Sequence, residues 1–351
     1  MATTSYGVND AEAVKLWSKK LFRESLNNTT MAADIGSNSG SIIQQLDDTS
    51  KGAGDRIRTI LRMQLEGDGV QGDNPQEGSE EALITYTDDI FIDQLRHAVR
   101  SKGRMSEQRI PFGIRNEARI GLQDWWANRF DYAIINQLSG NTAQTDTRYT
   151  GNQAVTAMDS NHEFRPNSKT TDATLSAADT MSITLIDSLV EKAETLSVPI
   201  RPVMVGGQPH YCLYLHPSQV TSLRTSTNTG QWLDIQKAAM QGGRIADNPI
   251  FTGALGVYNG VVLKKNVRIP LGVNGTATVA NTRRAIFAGA QSASIAFGRD
   301  NSPNEMTWVE ELFDFQNQLG VSAGSVFGVK RNIYNGESFG SMTLSTYATS
   351  A

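Results

Sequence analysis

The chain has 351 residues, of which 39% are hydrophobic and 19% charged, with 31 Gly and 10 Pro. That composition excludes collagen-like, disordered and coiled-coil architectures as descriptions of the whole, and the length leaves room for two or three modules with a sizeable core. A formal net charge of -4 gives no global basic field for nucleic acid, and the lone Cys212 rules out an internal disulfide framework. The N-terminus lacks a basic stretch followed by an apolar region, and no run approaches membrane-spanning length, so a soluble product is expected.

Residues 1–50 read as an arm. Asn9 with Glu12 forms a capping signal, and Val14, Trp17, Leu21 and Phe22 then share one helical face. So short a helix is marginal alone and needs a surface to dock on, in its own subunit or in a partner's. A polar Ser/Gly/Asn stretch follows through Gly40.

From Arg56 to Leu65, Ile57, Leu61, Met63 and Leu65 alternate with polar Arg56, Arg58, Arg62 and Gln64, the pattern of a half-buried strand, although a helix fits moderately well too. A second apolar run covers Leu83–Tyr86 and Ile90–Leu95. Between them, Glu66–Ala82 carries Gly67, Gly69, Gly72, Pro75 and Gly78, which sustain neither helix nor strand. A long hairpin with a loose tip is expected.

Its charge is lopsided. Nine acids and no Lys or Arg lie between Glu66 and Asp93: Glu66, Asp68, Asp73, Glu77, Glu80, Glu81, Asp88, Asp89 and Asp93. From there to Arg119 the balance reverses, with Arg96, Arg100, Lys102, Arg104, Arg109, Arg115 and Arg119 against Glu107 and Glu117. A single charge block is usually a solvated face. Two adjacent blocks of opposite sign can pair within the chain, or can set register between neighbouring copies.

Asn116–Leu138 predicts a long helix with an apolar stripe including Trp125, Trp126 and Phe130, read as core, and Gly140 as its left-handed stop. Ser176 with Asp179 predicts the start of a second helix, running through Leu196 to Pro199. Strands are expected at Pro202–Val205 and Tyr211–Leu215, and short helices after Pro217 and over Trp232–Met240. Asn248–Pro249 reads as a turn, and Gly256–Val267 as a strand pair bent at Tyr258-Asn259-Gly260. The last third is strand text at Ala285–Ala288, Ser294–Phe297, Met306–Phe315 and Ser325–Ile333. The class is α+β, with no regular βαβ alternation.

Catalytic chemistry is poorly represented. His210, Cys212 and His216 share one strand face but span too far for one tetrahedral ion, so a buried thiol between two histidines is the plainer reading than a thiol- or metal-dependent enzyme. The loop Glu66–Asn74 fails the EF-hand ligand pattern, and Gly320–Gly328 lacks phosphate-loop spacing. Glu310 and Glu311 are neighbours in a strand and point to opposite faces. No catalytic, cofactor or metal residue is assigned.

Five segments in a fixed order carry a family resemblance: Tyr86–Arg115 (YTDDIFIDQLRHAVRSKGRMSEQRIPFGIR), Leu122–Gly140 (LQDWWANRFDYAIINQLSG), Asn248–Val262, Arg284–Gly298 and Phe313–Asn335. Together they resemble the major capsid proteins of tailed bacteriophages, with the Hong Kong 97-type fold, and more narrowly the N-four-type capsid family. The resemblance implies an arm at 1–50, an extended loop at 51–105, and a peripheral domain at 106–175 whose spine is the long helix. It further implies an axial domain at 176–279, and return strands and C-terminus at 280–351. It implies a non-enzymatic virion protein, assembled in the host cytoplasm, whose partners are identical subunits in hexamers and pentamers around genomic DNA. No long coiled-coil-like segment precedes the arm, so a separate scaffold protein is expected beside a portal, with room for a decoration protein and only weak, non-specific contact with DNA. An encapsulin-like nanocompartment is the alternative on the same architecture. The acidic residues Glu66, Asp68, Asp73, Glu77, Glu80 and Glu81 are expected to meet Arg96, Arg100, Lys102, Arg104 and Arg109 of a neighbouring subunit. Val14, Trp17, Leu21 and Phe22 would dock the arm.

Overall fold

The computed structural model describes residues 31–46, 54–65, 67–73, 75–110, 113–205, 207–225, 256–298 and 306–349. The arm residues Val14, Trp17, Leu21 and Phe22, the expected helix at Trp232–Met240 and the turn at Asn248–Pro249 lie outside them, as does Glu66.

A five-residue helix, α1 (Arg104–Gln108), precedes the spine, α2 (Ile114–Ser139). At 1.5 Å per residue, α2 is about 39 Å long. Ala118, Leu122, Trp126, Phe130, Ala133, Ile134 and Leu138 are buried along one side, as the three- and four-residue spacing requires. Gly140 ends the helix with φ 59°, its N–H bonding the carbonyls of Asn136 and Gln137. Asp131, buried mid-helix, accepts at 2.7 Å from Nη1 of Arg268.

Against the spine packs a sheet made of β1 (Ile43–Leu46), β4 (Asp93–Arg100), β8 (Ala293–Phe297), β9 (Thr307–Phe313) and the 14-residue β10 (Gln318–Arg331). β9 pairs with β10 over Gln318–Gly324 and β8 pairs with it over Phe327–Arg331, so the two lie end to end along one edge. β4 covers the other edge, from Asp93↔Phe327 to Arg100↔Gly320. Alternate residues of β10 face the spine: Val321, Ala323, Phe327 and Val329 are buried with Trp126 and Phe130, whose rings meet Phe327 at 5.9 and 5.2 Å. β1 adds to β8 in parallel, and Met31, Ile42 and Ile43 are buried in this core. Within the segment expected to be an arm, Met31, Ile42 and Ile43 are thus covered by the same subunit.

β2 (Arg56–Arg62) and β3 (Thr85–Phe91) form the expected antiparallel hairpin, registered from Arg56↔Phe91 to Arg62↔Thr85. Ile57 is buried while Ile60 is 67% exposed, so Arg56–Arg62 is a strand with one covered face, whereas Met63–Leu65 of the expected strand fall outside it.

A second sheet takes β5 (Gln208–Leu215), β6 (Val261–Lys265), β7 (Thr282–Ala288) and β11 (Ser341–Tyr347), with short strands at Glu163–Phe164, Val203–Val205 and Val257–Tyr258. β7 sits between β5 and β11, so strands on both sides of residue 279 share one sheet. Two helices accompany it, α3 (Ile183–Thr195) and α4 (Pro217–Thr225), and Ile186, Leu189 and Ala193 of α3 join its core.

The second helix departs from expectation. Ser176 and Asp179 do bond as a capping pair, the Asp179 carboxylate accepting from the Ser176 N–H at 2.8 Å and hydroxyl at 2.9 Å. Yet α3 starts only at Ile183. The other Asp179 oxygen is taken by the Asn167 amide, and its carbonyl accepts the N–H of Tyr347 at the end of β11. Those long-range bonds hold one turn and draw the chain away before a helix can propagate.

Candidate assembly surfaces

The hairpin is rooted on β10 by a close approach. Gly328 has no side chain where the Phe91 carbonyl crosses it; a Cβ there would lie 2.0 Å from that oxygen. Beside it, Lys330 Nζ contacts the Asp88 carboxylate and donates to the Asp89 carbonyl at 2.8 Å, while the Ile333 N–H bonds the other Asp88 oxygen at 3.1 Å. Asp88 is buried, so its charge needs this cation. Asp89 faces outward and takes Arg58 at 2.8 Å and Arg56 at 3.1 Å across the two strands, and those guanidinium bonds hold its carboxyl below the usual carboxylate range. Gly320, Gly324 and Gly328, barren as a phosphate loop, share one face of β10. A Cβ at the first would meet the Phe313 ring at 2.6 Å, and at the second the Arg96 stem at 2.8 Å.

Beyond its root the hairpin is under-packed. Leu61, Met63 and Tyr86 are only half-buried over a cleft of about 330 Å³ shared with Tyr334 and Phe339. Leu65, Leu83 and Ile84 near the tip are 57%, 59% and 53% exposed. The tip has no regular structure among its described residues. Asp68, Asp73, Glu77, Glu80 and Glu81 are all exposed there; Glu81 accepts from the Gly67 N–H and Glu80 from the Gly78 N–H, both at 2.8 Å.

The basic residues occupy a different place. Arg96 and Arg100 lie on β4, which pairs with β10, and Lys102, Arg104 and Arg109 lie in and around α1; all five are exposed. Arg100 lies over the Phe313 ring at 4.2 Å. Asp88 and Asp89 pair within the subunit with Lys330, Arg56 and Arg58. Farther along, Arg115 reaches the buried Glu310 at 2.6 Å, which also accepts from the Trp308 indole. The paired tryptophans divide their roles. Trp126 is core, while half-buried Trp125 stacks on His97 of β4 at 4.5 Å and 11°, fastening that strand to the spine.

The His210–His216 segment forms most of β5 and the entry to α4. Cys212 is buried in β5, and burial pushes its thiol up to about 11, far from a thiolate nucleophile at neutral pH. His216 caps α4. Its Nδ1 accepts the Ser218 N–H at 3.2 Å, and its own N–H is taken by Gln219 Oε1 at 3.0 Å. Burial, with the nearby Arg283 charge second, holds its imidazole down at about 4, as an accepting Nδ1 requires.

Sequence reasoning missed a buried charge cluster at the end of the spine. Arg284 of β7 donates to the Gly140 carbonyl at 3.1 Å and contacts Glu163. Arg165 bridges Glu163 at 2.8 Å and Asp172 at 2.6 Å. Arg331, at the end of β10, donates to the carbonyls of Thr156 and Ala157, and burial lowers its guanidinium to about 10. Isolated arginines in strand text give no sign that they converge.

Among the described residues no helix is long and apolar enough to cross a membrane, and no group of three or more His, Cys, Asp or Glu could hold a metal. The chain is 31% identical to a chain of the Ralstonia phage GP4 capsid, covering 99% of both at a TM-score of 0.78. It is 29% identical to the major capsid protein of Pseudomonas phage KPP25, over 90% of this chain and 88% of that one. The cyanophage Pam1 capsid shares the fold at a TM-score of 0.76 and 20% identity over the full length of both chains. A family model described as phage capsid protein matches residues 5–349. The architecture is thus the Hong Kong 97-type capsid fold expected from the sequence, and the chain belongs to the phage capsid protein family.

Proposed function

We propose that this chain is a major capsid protein, a non-enzymatic subunit that assembles with identical copies into hexamers and pentamers of an icosahedral shell around phage DNA. The observation that carries the reading is the hairpin. It is firmly rooted at Gly328 and Lys330 yet leaves apolar residues and a run of acids exposed at its far end, on a fold shared with phage capsids. A two-stranded hairpin of this kind is barely stable alone in water and gains from being laid on a neighbour. The exposed basic stretch Arg96–Arg109 offers complementary charge, and opposite blocks repeated around a closed shell penalise wrong registers.

The modest negative charge suits a wall that confines DNA with weak, non-specific contacts. A separate scaffold protein and a portal complete the expected set of partners, with room for a decoration protein.

Expression of the full chain followed by negative-stain electron microscopy tests the reading, with closed isometric particles as the expected result. Reversing Arg100, Arg104 and Arg109 to Glu together should abolish or sharply reduce them. A chain that stays monomeric at every concentration and salt condition refutes the function; unchanged particles from the reversed variant refute the charge pairing.

A further inference from the structure

The turn joining β9 to β10 is unusual. Asp314, Phe315 and Gln316 have φ of 52°, 47° and 68°, three successive residues in the left-handed region that L side chains avoid. The turn is nevertheless pinned. The Asn317 N–H bonds the Asp314 carbonyl at 2.9 Å, Asn317 Oδ1 accepts the Arg104 N–H at 3.2 Å, and the Gln318 amide donates to the Lys102 carbonyl at 3.1 Å. The outcome is a phenylalanine 103% exposed, held on a rigid base beside α1, where Met105 is 68% exposed. Leu312, near the end of β9, is 41% exposed. Strain concentrated at one exposed aromatic is a feature of binding positions. Exposed Arg100, Lys102 and Arg104 belong to the β4–α1 segment that pins the turn, and outnumber the acids there, exposed Asp314 in the turn and half-buried Glu107 of α1.

Such a knob fits an apolar patch with an acidic rim. The chain carries one, at the far end of its own hairpin, where Leu65, Leu83 and Ile84 are exposed among the acids of the loop. The hairpin is rooted near Gly328, ten positions along β10 from Gln318, roughly 33 Å at strand spacing. We infer that the two surfaces meet between copies: Phe315 and Met105 of one subunit are the apolar anchor on which Leu65, Leu83 and Ile84 of a neighbour's hairpin pack, inside the ring of opposite charges. The inference rests on the shell reading and adds to it that the contact is centred on a desolvated aromatic, with the charges forming its rim. Buried aromatic anchors dominate interface energetics, whereas exposed rim charges chiefly set register and rate.

The test uses the full chain with Phe315→Cys and Leu83→Cys, singly and together, treated as assembled particles with a short bis-maleimide. Buried Cys212 is common to all samples. The double variant should give a ladder of covalent multimers and each single variant none. Particles without a ladder, or a ladder from Phe315→Cys alone, overturn the inference. Phe315→Ser decides the matter independently, even if the cysteine variants fail to assemble. It should leave the circular dichroism of the unassembled subunit unchanged and weaken each contact about tenfold, lowering particle yield at fixed concentration. Normal yield and heat resistance of Phe315→Ser particles, with Arg100, Arg104 and Arg109 reversal still blocking assembly, sinks the anchor and spares the charge pairing. A wild-type chain that forms no particles sinks both.

Discussion

Replacing Gly328 by Ala should damage the shell more than the subunit. The added Cβ would stand 2.0 Å from the Phe91 carbonyl oxygen, 3.0 Å from its carbon and 3.3 Å from the Gln153 amide nitrogen. Ordinary carbon–oxygen contact needs about 3.3 Å, so the hairpin root or β10 must move by roughly 1.3 Å, and overpacking of that kind typically costs about 1–3 kcal/mol. Neither side yields easily. β10 is held by β4, β8 and β9, and the hairpin by the Lys330–Asp88 contact two residues on. The backbone at Gly328 is not left-handed, so the whole effect is steric and owes nothing to glycine's conformational freedom. At the specific unfolding entropy of globular proteins, about 2 kcal/mol lowers the melting temperature of a chain this long by roughly 3 °C. A lifted root also redirects the hairpin, whose paired strands extend six residues farther, about 20 Å. Thermal unfolding of unassembled subunits, paired with particle counts by electron microscopy, separates the two effects. The expected result is a melting shift of a few degrees with a disproportionate loss of particles. If Gly328→Ala melts like wild type and assembles normally, the close approach is not what positions the hairpin.

Three further outcomes follow from the same structure. Lys330→Met removes the cation facing buried Asp88 and should destabilise the subunit by about 3 kcal/mol, since one charge is left buried without its partner; the fall in the urea midpoint measures it, and a double variant with Asp88→Asn should recover part of the loss. Gly121→Ala, on an exposed turn of α2 with nothing within 4 Å of the new Cβ, should stabilise by about 0.5–1 kcal/mol; a lower melting temperature would contradict the geometry. Stability should decline on acidification in two stages. His216 titrates at about 4 in the fold against 6.5 ordinarily, so the unfolded chain gains its proton first and stability falls as pH drops from 6.5 to about 4. Burial would raise Asp159, but its His162 and Ser338 bonds outweigh that and hold it at about 2, so its contribution is lost between the ordinary 3.8 and about 2. His216→Asn keeps a capping oxygen without the titration and should flatten the first stage; an unchanged slope in thermal melts across that range would remove His216 from the account.

What the amino-acid sequence determined by itself was what depends on neighbours along the chain. The apolar stripe and Gly140 specify the spine to within two residues at its start and one at its end. Alternation from Arg56 and the glycines after Glu66 specify a hairpin with an irregular tip, and the segregation of acids from bases is plain in the text. The tertiary structure decided whatever depends on residues remote in the chain. The glycines of β10 record the passage of Phe91, Phe313 and Arg96, and the Ser176–Asp179 signal was outcompeted by bonds from Asn167 and Tyr347. Arg284, Glu163 and Gly140 converge from separate segments, and His216 is a cap only because α4 follows it in a buried setting. The division has a physical reason. Propensity and periodicity act over one or two turns of chain, whereas close approach and the neutralisation of a buried charge exist only once distant segments have been brought into contact.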